Sequence, residues 1–338
     1  MNPEPPAALQ GAIQRELDGV SRNALAARAA RISAQYRGGA ASGRAIADEQ
    51  DALAYALARL PATYAACAAV FAEARRLAPD FAPVRLLDAG AGPGGASWAA
   101  LETWPGLASI VLLDAHPAFL ALAARLAGDG PAALRGADVR GADLVASAAH
   151  PGADLVVASY ALAEIAPERQ GQVTAELWAA SEGLLALVEP GTPDGFARMR
   201  AARDLLIAQG ARVLAPCPHE APCPMAGADW CHFVQRLPRR RDHRLLKGGE
   251  APFEDEKFAY VVAARPGVAA AARTPRVLAP PRAAKPGIDL KLCGPGGLER
   301  RFVARRDKAA HARARRLGWG DALEPDQGAA PAEASRTD

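Results

Sequence analysis

The chain predicts a doubly wound α/β sheet with a helical N-terminal region and a small basic C-terminal extension, and three observations carry that reading. From Val84 onward apolar runs alternate with helical stretches: "VRLLDAGAGPGGASWAALETW", "SIVLLDAHPAFLALAARLA", "ADLVVASYALAEI" and "GLLALVEPGTPDGFARMRAARDLLIAQG" each begin as a strand and turn into a helix. Before residue 79 the apolar positions fall instead at helical spacing. Half of the 338 residues are apolar, enough for one large core with an appendage.

In chain order, "ISAQYRGG" predicts a helix closed at Gly38 and Gly39. "DALAYALARLPATYAACAAVFAEARRL" predicts a longer helical stretch in which Pro61 marks a break or a new start. Residues 1–79 therefore form a helical region and 80–265 the α/β domain, with a cysteine-rich insertion at 215–235. "KFAYVVAAR" adds a strand, and a Pro/Arg-rich connector at 273–287 leads into a basic region over 266–320. Residues 321–338 lack apolar content and are expected to be a disordered tail. The N-terminus has charges where a signal sequence would be apolar, and no stretch of about 20 uncharged apolar residues occurs. The expectation is a soluble, cytoplasmic monomer with no membrane association.

Charge is distributed unevenly. Between Arg236 and Arg316 there are 21 Lys/Arg against 8 Asp/Glu, a local net of +13, whereas the remainder holds 19 against 29. Clusters such as "RLPRRRDHRLLK" and "RRFVARRDK" point to a polyanionic partner such as nucleic acid, with Arg239, Arg240, Arg241, Arg305 and Arg306 as its candidate contacts.

The first chemistry-bearing motif is "LLDAGAGPGG". Asp88, Gly90, Gly92 and Gly94 spell D-x-G-x-G-x-G, where missing Cβ atoms admit a ligand to the backbone. Gly95 also completes G-x-G-x-x-G, so the glycines alone leave a dinucleotide site open. An acidic residue two before the first glycine suits a ligand carrying an ammonium, and Pro93 is foreign to a pyrophosphate cradle. S-adenosylmethionine has that ammonium and NAD does not. Asp114, ending "SIVLLD", stands where a carboxylate accepts both ribose hydroxyls; Asp138, after a weaker third strand, is placed for the adenine amino group. Ser159 and Glu164 follow the fourth strand, where methyl donor and acceptor would meet.

Together, "RLPATYAA", "LLDAGAGPGGASWAA", "ADLVVASYALAEI", "LVEPGTPDGF", "CPHEAPCPM", "DWCHF" and "KFAYVV" resemble the ribosomal small-subunit methyltransferase-like family, which includes mitochondrial small-subunit assembly factors and bacterial relatives. The resemblance runs from about Tyr36 to Asp321. It implies a class I methyltransferase (Rossmann-like) fold, an S-adenosylmethionine site, a four-cysteine iron–sulfur (4Fe-4S) cluster, and association with small-subunit ribosomal RNA or a pre-ribosomal particle.

Cys217, Cys223, Cys231 and Cys293 supply the four thiols as C-x5-C-x7-C followed, after 61 residues, by the last. Structural zinc usually shows paired C-x2-4-C knuckles, absent here; zinc stays the alternative, and His219 and His232 are substitute ligands. Cys67, on an apolar helix face, reads as a buried side chain. No catalytic residue is assigned. "SYAL" replaces the Asn/Asp-Pro-Pro-aromatic tetrad of amino-directed methyltransferases, and "LVEPGTP" offers no thiol for attack on a pyrimidine. The two readings are an enzyme modifying small-subunit RNA and an assembly factor that binds RNA and cofactor without transfer.

Overall fold

A computed structural model describes residues 3–37, 45–146, 149–247 and 251–324. Gly38, Gly39 and the tail beyond 324 lie outside them. Eight strands make the main sheet: β1 (Arg85–Ala89), β2 (Ser109–Asp114), β3 (Asp138–Gly141), β4 (Ala153–Ser159), β5 (Ser181–Pro190), β6 (Arg212–Ala215), β7 (Phe233–Pro238) and β8 (Phe253–Ala264). Their order is β3-β2-β1-β4-β5-β8-β6, with β7 on the same edge of β8 as β6. The first five run parallel, and β8 pairs antiparallel with β5. This is the doubly wound arrangement that the alternating pattern predicts, in the Rossmann-like methyltransferase form that the resemblance implies.

Central strands are buried on both faces, as parallel sheets require, so β4 and β5 read as near-continuous Val/Leu/Ala runs. One face packs against the Pro167–Ala180 and Pro193–Ala208 helices. The other is covered by the Glu49–Leu77, Gly95–Thr103 and Pro117–Ala127 helices, and Ala7–Glu16 and Arg22–Arg37 pack onto these and join the same core. The helical region is thus a layer of the α/β unit. Pro61 does not break the third helix, which runs 29 residues from an Asp48 cap that accepts from Asp51 N at 2.8 Å. Its Ala-rich surface lets neighbours approach closely: a Cβ on Gly95 would lie 3.6 Å from Leu60. That helix is long and apolar enough to cross a membrane, but 72% of its most apolar window is buried inside the protein.

The C-terminal region forms a second sheet with its own small core: β9 (Arg276–Val277), β10 (Arg282–Ala283), β11 (Gly287–Gly294) and β12 (Gly297–Ala304). The 273–287 connector therefore contains two short strands. The expected tail boundary at 321 shifts, because Val277 N bonds Asp321 O at 2.9 Å and Leu323 N bonds Pro275 O at 2.7 Å.

Candidate functional site

The carboxyl ends of β1, β2 and β4 enclose a cavity of about 340 Å³. Gly90, Gly92, Asp114 and Ser159 line it together with Tyr55, Asp143, Tyr160 and Glu164. The turn after β1 is pinned by Gly90 N and Ala91 N, which donate to Leu113 O at 2.8 and 2.9 Å. Gly90 has φ +72° and a Cβ there would come within 2.6 Å of Ala161 Cβ, so only glycine allows the two turns to touch. Gly92, at φ +51°, faces open space. Gly94 caps the Gly95–Thr103 helix in the left-handed region and does not line the cavity.

Asp88 is fully buried beneath this turn. Its Oδ2 accepts from the Ser97 hydroxyl at 2.7 Å and the Ser97 amide at 3.1 Å, while Oδ1 has no partner. Burial raises its pKa to about 7 against the opposing pull of Ser97. An orphaned buried acceptor needs a donor. Asp114 accepts Gly92 N and His116 N at 2.8 Å each, one on each oxygen, which leaves a lone pair on each for a vicinal diol. Its pKa is raised, by burial first.

Asp138 is not in this cavity. It opens β3 opposite Val111, whereas the cofactor-side end of the register is Gly141 opposite Asp114. Three residues of strand separate the two, about 10 Å, and the exposed Asp138 carboxylate pairs with Arg140. The carboxylate that does line the cavity beyond β3 is Asp143. Ser159, buried at the end of β4, hydrogen-bonds the thiol of Cys67, whose own burial pushes its pKa up. Tyr160 follows at φ +58°, rare for a bulky residue. Its hydroxyl donates to Glu256 Oε1 at 2.7 Å, and Arg59 Nη2 donates to the same oxygen at 3.0 Å. Tyr160 lines both this cavity and a neighbouring one of about 520 Å³, which Arg59 also lines. No sequence pattern joins Arg59 to a residue 197 positions away.

The four cysteines line one pocket, with Cys217, Cys223 and Cys231 from the β6–β7 loop and Cys293 from β11. All are free thiols. Burial raises the pKa of Cys217, Cys231 and Cys293, the last to about 12, and the neighbouring thiols add to the effect. Arg203 and Arg276, both buried, lower it. Arg203 Nη2 also holds the loop through His219 O at 2.9 Å and Ala221 O at 2.7 Å, leaving its Nε unpartnered. His219 lines the pocket beside Cys293; His232 is stacked on Trp230 and edge-on to Trp319, outside it. Among the described residues, no three His, Cys, Asp or Glu converge closely enough to form a ready-made metal site.

The arginine clusters differ. Arg239 is half-buried and held by Glu254 at 3.1 Å, and Arg240 lies 3.7 Å from Glu4. Arg241 is exposed at the start of the Arg241–Lys247 helix. Arg305 and Arg306 are exposed just beyond β12.

Residues 49–324 match the family described as mitochondrial small ribosomal subunit Rsm22. The chain is 30% identical over 299 residues to the human ribosome assembly protein METTL17, mitochondrial, covering 80% of this chain and 62% of that protein. It is 25% identical to the Rsm22-cox11 tandem protein 2, mitochondrial, of Schizosaccharomyces pombe, covering 83% of this chain and 44% of that one. The chain thus spans about half the length of the curated relatives it matches. Among solved structures, the magnesium protoporphyrin IX methyltransferase of Synechocystis PCC 6803 is similar at TM-score 0.41 and 14% identity over 65% of this chain and 85% of that one. The precorrin-6y C5,15-methyltransferase of Geobacter metallireducens is similar at 0.38 and 17% over 59% and 86%. The cytoplasmic expectation is corrected by these matches, since the family and both relatives are described as mitochondrial.

Proposed function

The chain belongs to the family described as mitochondrial small ribosomal subunit Rsm22, and from that premise we propose that it is an S-adenosylmethionine-binding, methyltransferase-like protein that acts in assembly of the small ribosomal subunit by binding its RNA. The observation that carries the cofactor is the open space at Gly92 and the two free lone pairs of Asp114 in one cavity, with the orphaned Oδ1 of Asp88 buried beneath the same turn and outside the cavity lining. Asp88 would meet the ammonium, Asp114 the ribose hydroxyls, and Asp143, in place of Asp138, the adenine side. Asp88 has no counterpart role in an NAD site.

Binding without turnover fits the acceptor side better than catalysis does. Tyr160 and Glu256 are engaged with each other and with Arg59, which leaves neither free as a base. Ribosomal RNA is the polyanion that suits the local +13 of residues 236–316.

The all-sulfur donor set, with two buried guanidiniums beside it, suits an anionic iron–sulfur cluster on Cys217, Cys223, Cys231 and Cys293, with zinc the alternative. When bound, such a group would tie β11 to the β6–β7 loop. Calorimetric titration of the full chain with S-adenosylmethionine and with NAD tests the central reading; heat from NAD alone overturns it.

A further inference from the structure

The second sheet has two unlike faces. In the β11–β12 register, Ile288, Leu290, Leu292 and Val303 point to one side and pack with Ala314 and Leu317. On the other side, Arg282, Asp289 and Phe302 form one row across the sheet, Lys291 and Arg300 the next, and Cys293 and Leu298 the last. The cysteine loop covers only the Cys293 end, where Asp229 pairs with Lys291 and a Cβ on Gly297 would lie 3.8 Å from Pro224. Beyond it, nothing else among the described residues covers the face. Phe302 is 51% and Leu298 41% exposed, with Arg300 between them.

The Phe302 ring is held in place. A Cβ on Gly287 would fall 2.6 Å from its Cζ and 2.9 Å from Cε2, so the ring lies over a bare glycine Cα while half its surface remains in water. Covering that glycine accounts for where the ring sits. It does not account for the cations around it. Arg282, Lys285, Arg300, Arg305 and Arg306 are exposed here, and Asp289 is the one acid in these rows. Among the described residues Arg282, Arg300, Arg305 and Arg306 make no ion pair, unlike Arg236, Arg239 and Arg240. A fixed, solvent-facing aromatic ring on a face whose exposed guanidiniums make no ion pair among the described residues matches one chemistry: a flat base on the ring and phosphates on the cations. A ring flush with a sheet cannot reach bases stacked inside a duplex, so the base must be unpaired.

We propose that this face binds a single-stranded segment of RNA, with one base stacked on Phe302 and its flanking phosphates on Arg300, Arg305 and Arg306. The proposal rests on the RNA reading above and adds the strand state and the site. The test uses the full chain and a fluorescent 12-nucleotide single-stranded RNA, titrated over a range of salt, with a duplex of the same length beside it. Phe302→Ala is expected to weaken single-strand binding about tenfold with the salt slope unchanged, since stacking releases no counterions. Phe302→Trp is expected to restore binding, which separates stacking from a folding defect. Replacing Arg300, Arg305 and Arg306 together with Gln is expected to weaken binding and flatten the slope. If the wild-type chain binds neither RNA, the RNA reading itself fails. If it binds RNA and Phe302→Ala binds equally well, or if the duplex is preferred, the RNA reading stands and this face is overturned, left to a protein partner.

Discussion

The Nε2 of His219 lies 3.5 Å from the Sγ of Cys293, although 74 residues separate them. The contact joins the loop between β6 and β7 to the second sheet and brings the fourth thiol to the pocket that the other three line. It also makes His219 the nearest rival ligand. If the four cysteines hold an iron–sulfur cluster, anaerobically purified protein is expected to be brown with about four irons. Cys293→Ser and Cys217→Ser are then expected to lose iron equally, and His219→Ala to keep it. Iron and zinc analysis of the three variants checks this; a colourless protein with one zinc selects the alternative.

Gly92→Arg is expected to abolish S-adenosylmethionine binding. The residue faces the cavity with open space where a side chain would go, so the arginine would occupy the cofactor's volume. Because Gly92 has φ +51°, the variant is also expected to lose about 1 kcal/mol of stability from backbone strain. Calorimetry for binding and a thermal melt for stability separate the two effects.

Asp88 gives a pH dependence whose sign is set by its raised pKa. The folded state keeps a proton up to about pH 7 that the unfolded chain releases near 4. Its contribution to stability is full below about 4 and is lost as pH rises to about 7. Cofactor-free Asp88→Asn is therefore expected to match wild type near pH 4 and to exceed it by roughly 1–3 kcal/mol at pH 8. The same variant is expected to bind S-adenosylmethionine more weakly, because the ammonium loses its counter-charge. Denaturant unfolding across that range, paired with cofactor titration, is the check.

Charge reversal separates the two arginine clusters. Arg305→Glu with Arg306→Glu is expected to weaken RNA binding and reduce the salt slope by about two, one per lost phosphate contact. Arg239→Gln is expected to change RNA affinity little and to cost stability instead, since it removes the guanidinium that faces the half-buried Glu254 carboxylate. Fluorescence titrations at several salt concentrations distinguish them.

The legible parts of the site were those fixed by local rules. D-x-G-x-G-x-G places Gly90 and Gly92 because a tight turn needs positive φ, and Asp114 and Ser159 follow from the habit of ligands to sit at strand ends. Asp138 failed on register: the short β3 begins where the sequence has it ending, and nothing in "LRGADVRGAD" distinguishes the two Asp residues. Pro61 failed because tertiary packing of an Ala-rich helix outweighs one lost backbone bond. The Arg59–Glu256–Tyr160 triad was invisible, since its members meet only through the fold. The cysteine set was visible by composition, but its shared pocket depends on β11 arriving from a separate sheet.

The place of β8 in the sheet has a bearing on biosynthesis. It is the antiparallel neighbour of β5 on one edge and of β6 and β7 on the other, and Glu256 within it anchors Arg59 from the N-terminal layer. A nascent chain that has emerged only to β5 therefore carries a fully apolar strand, "GLLALV", with an unpaired edge and a helical layer missing one of its anchors. Neither closes until some 70 further residues have been translated, from Pro190 to Ala264. At about 5–20 residues per second that interval lasts several seconds. During it the open β5 edge is a template for intermolecular pairing, which makes this stretch of synthesis the one where a chaperone would have most to protect.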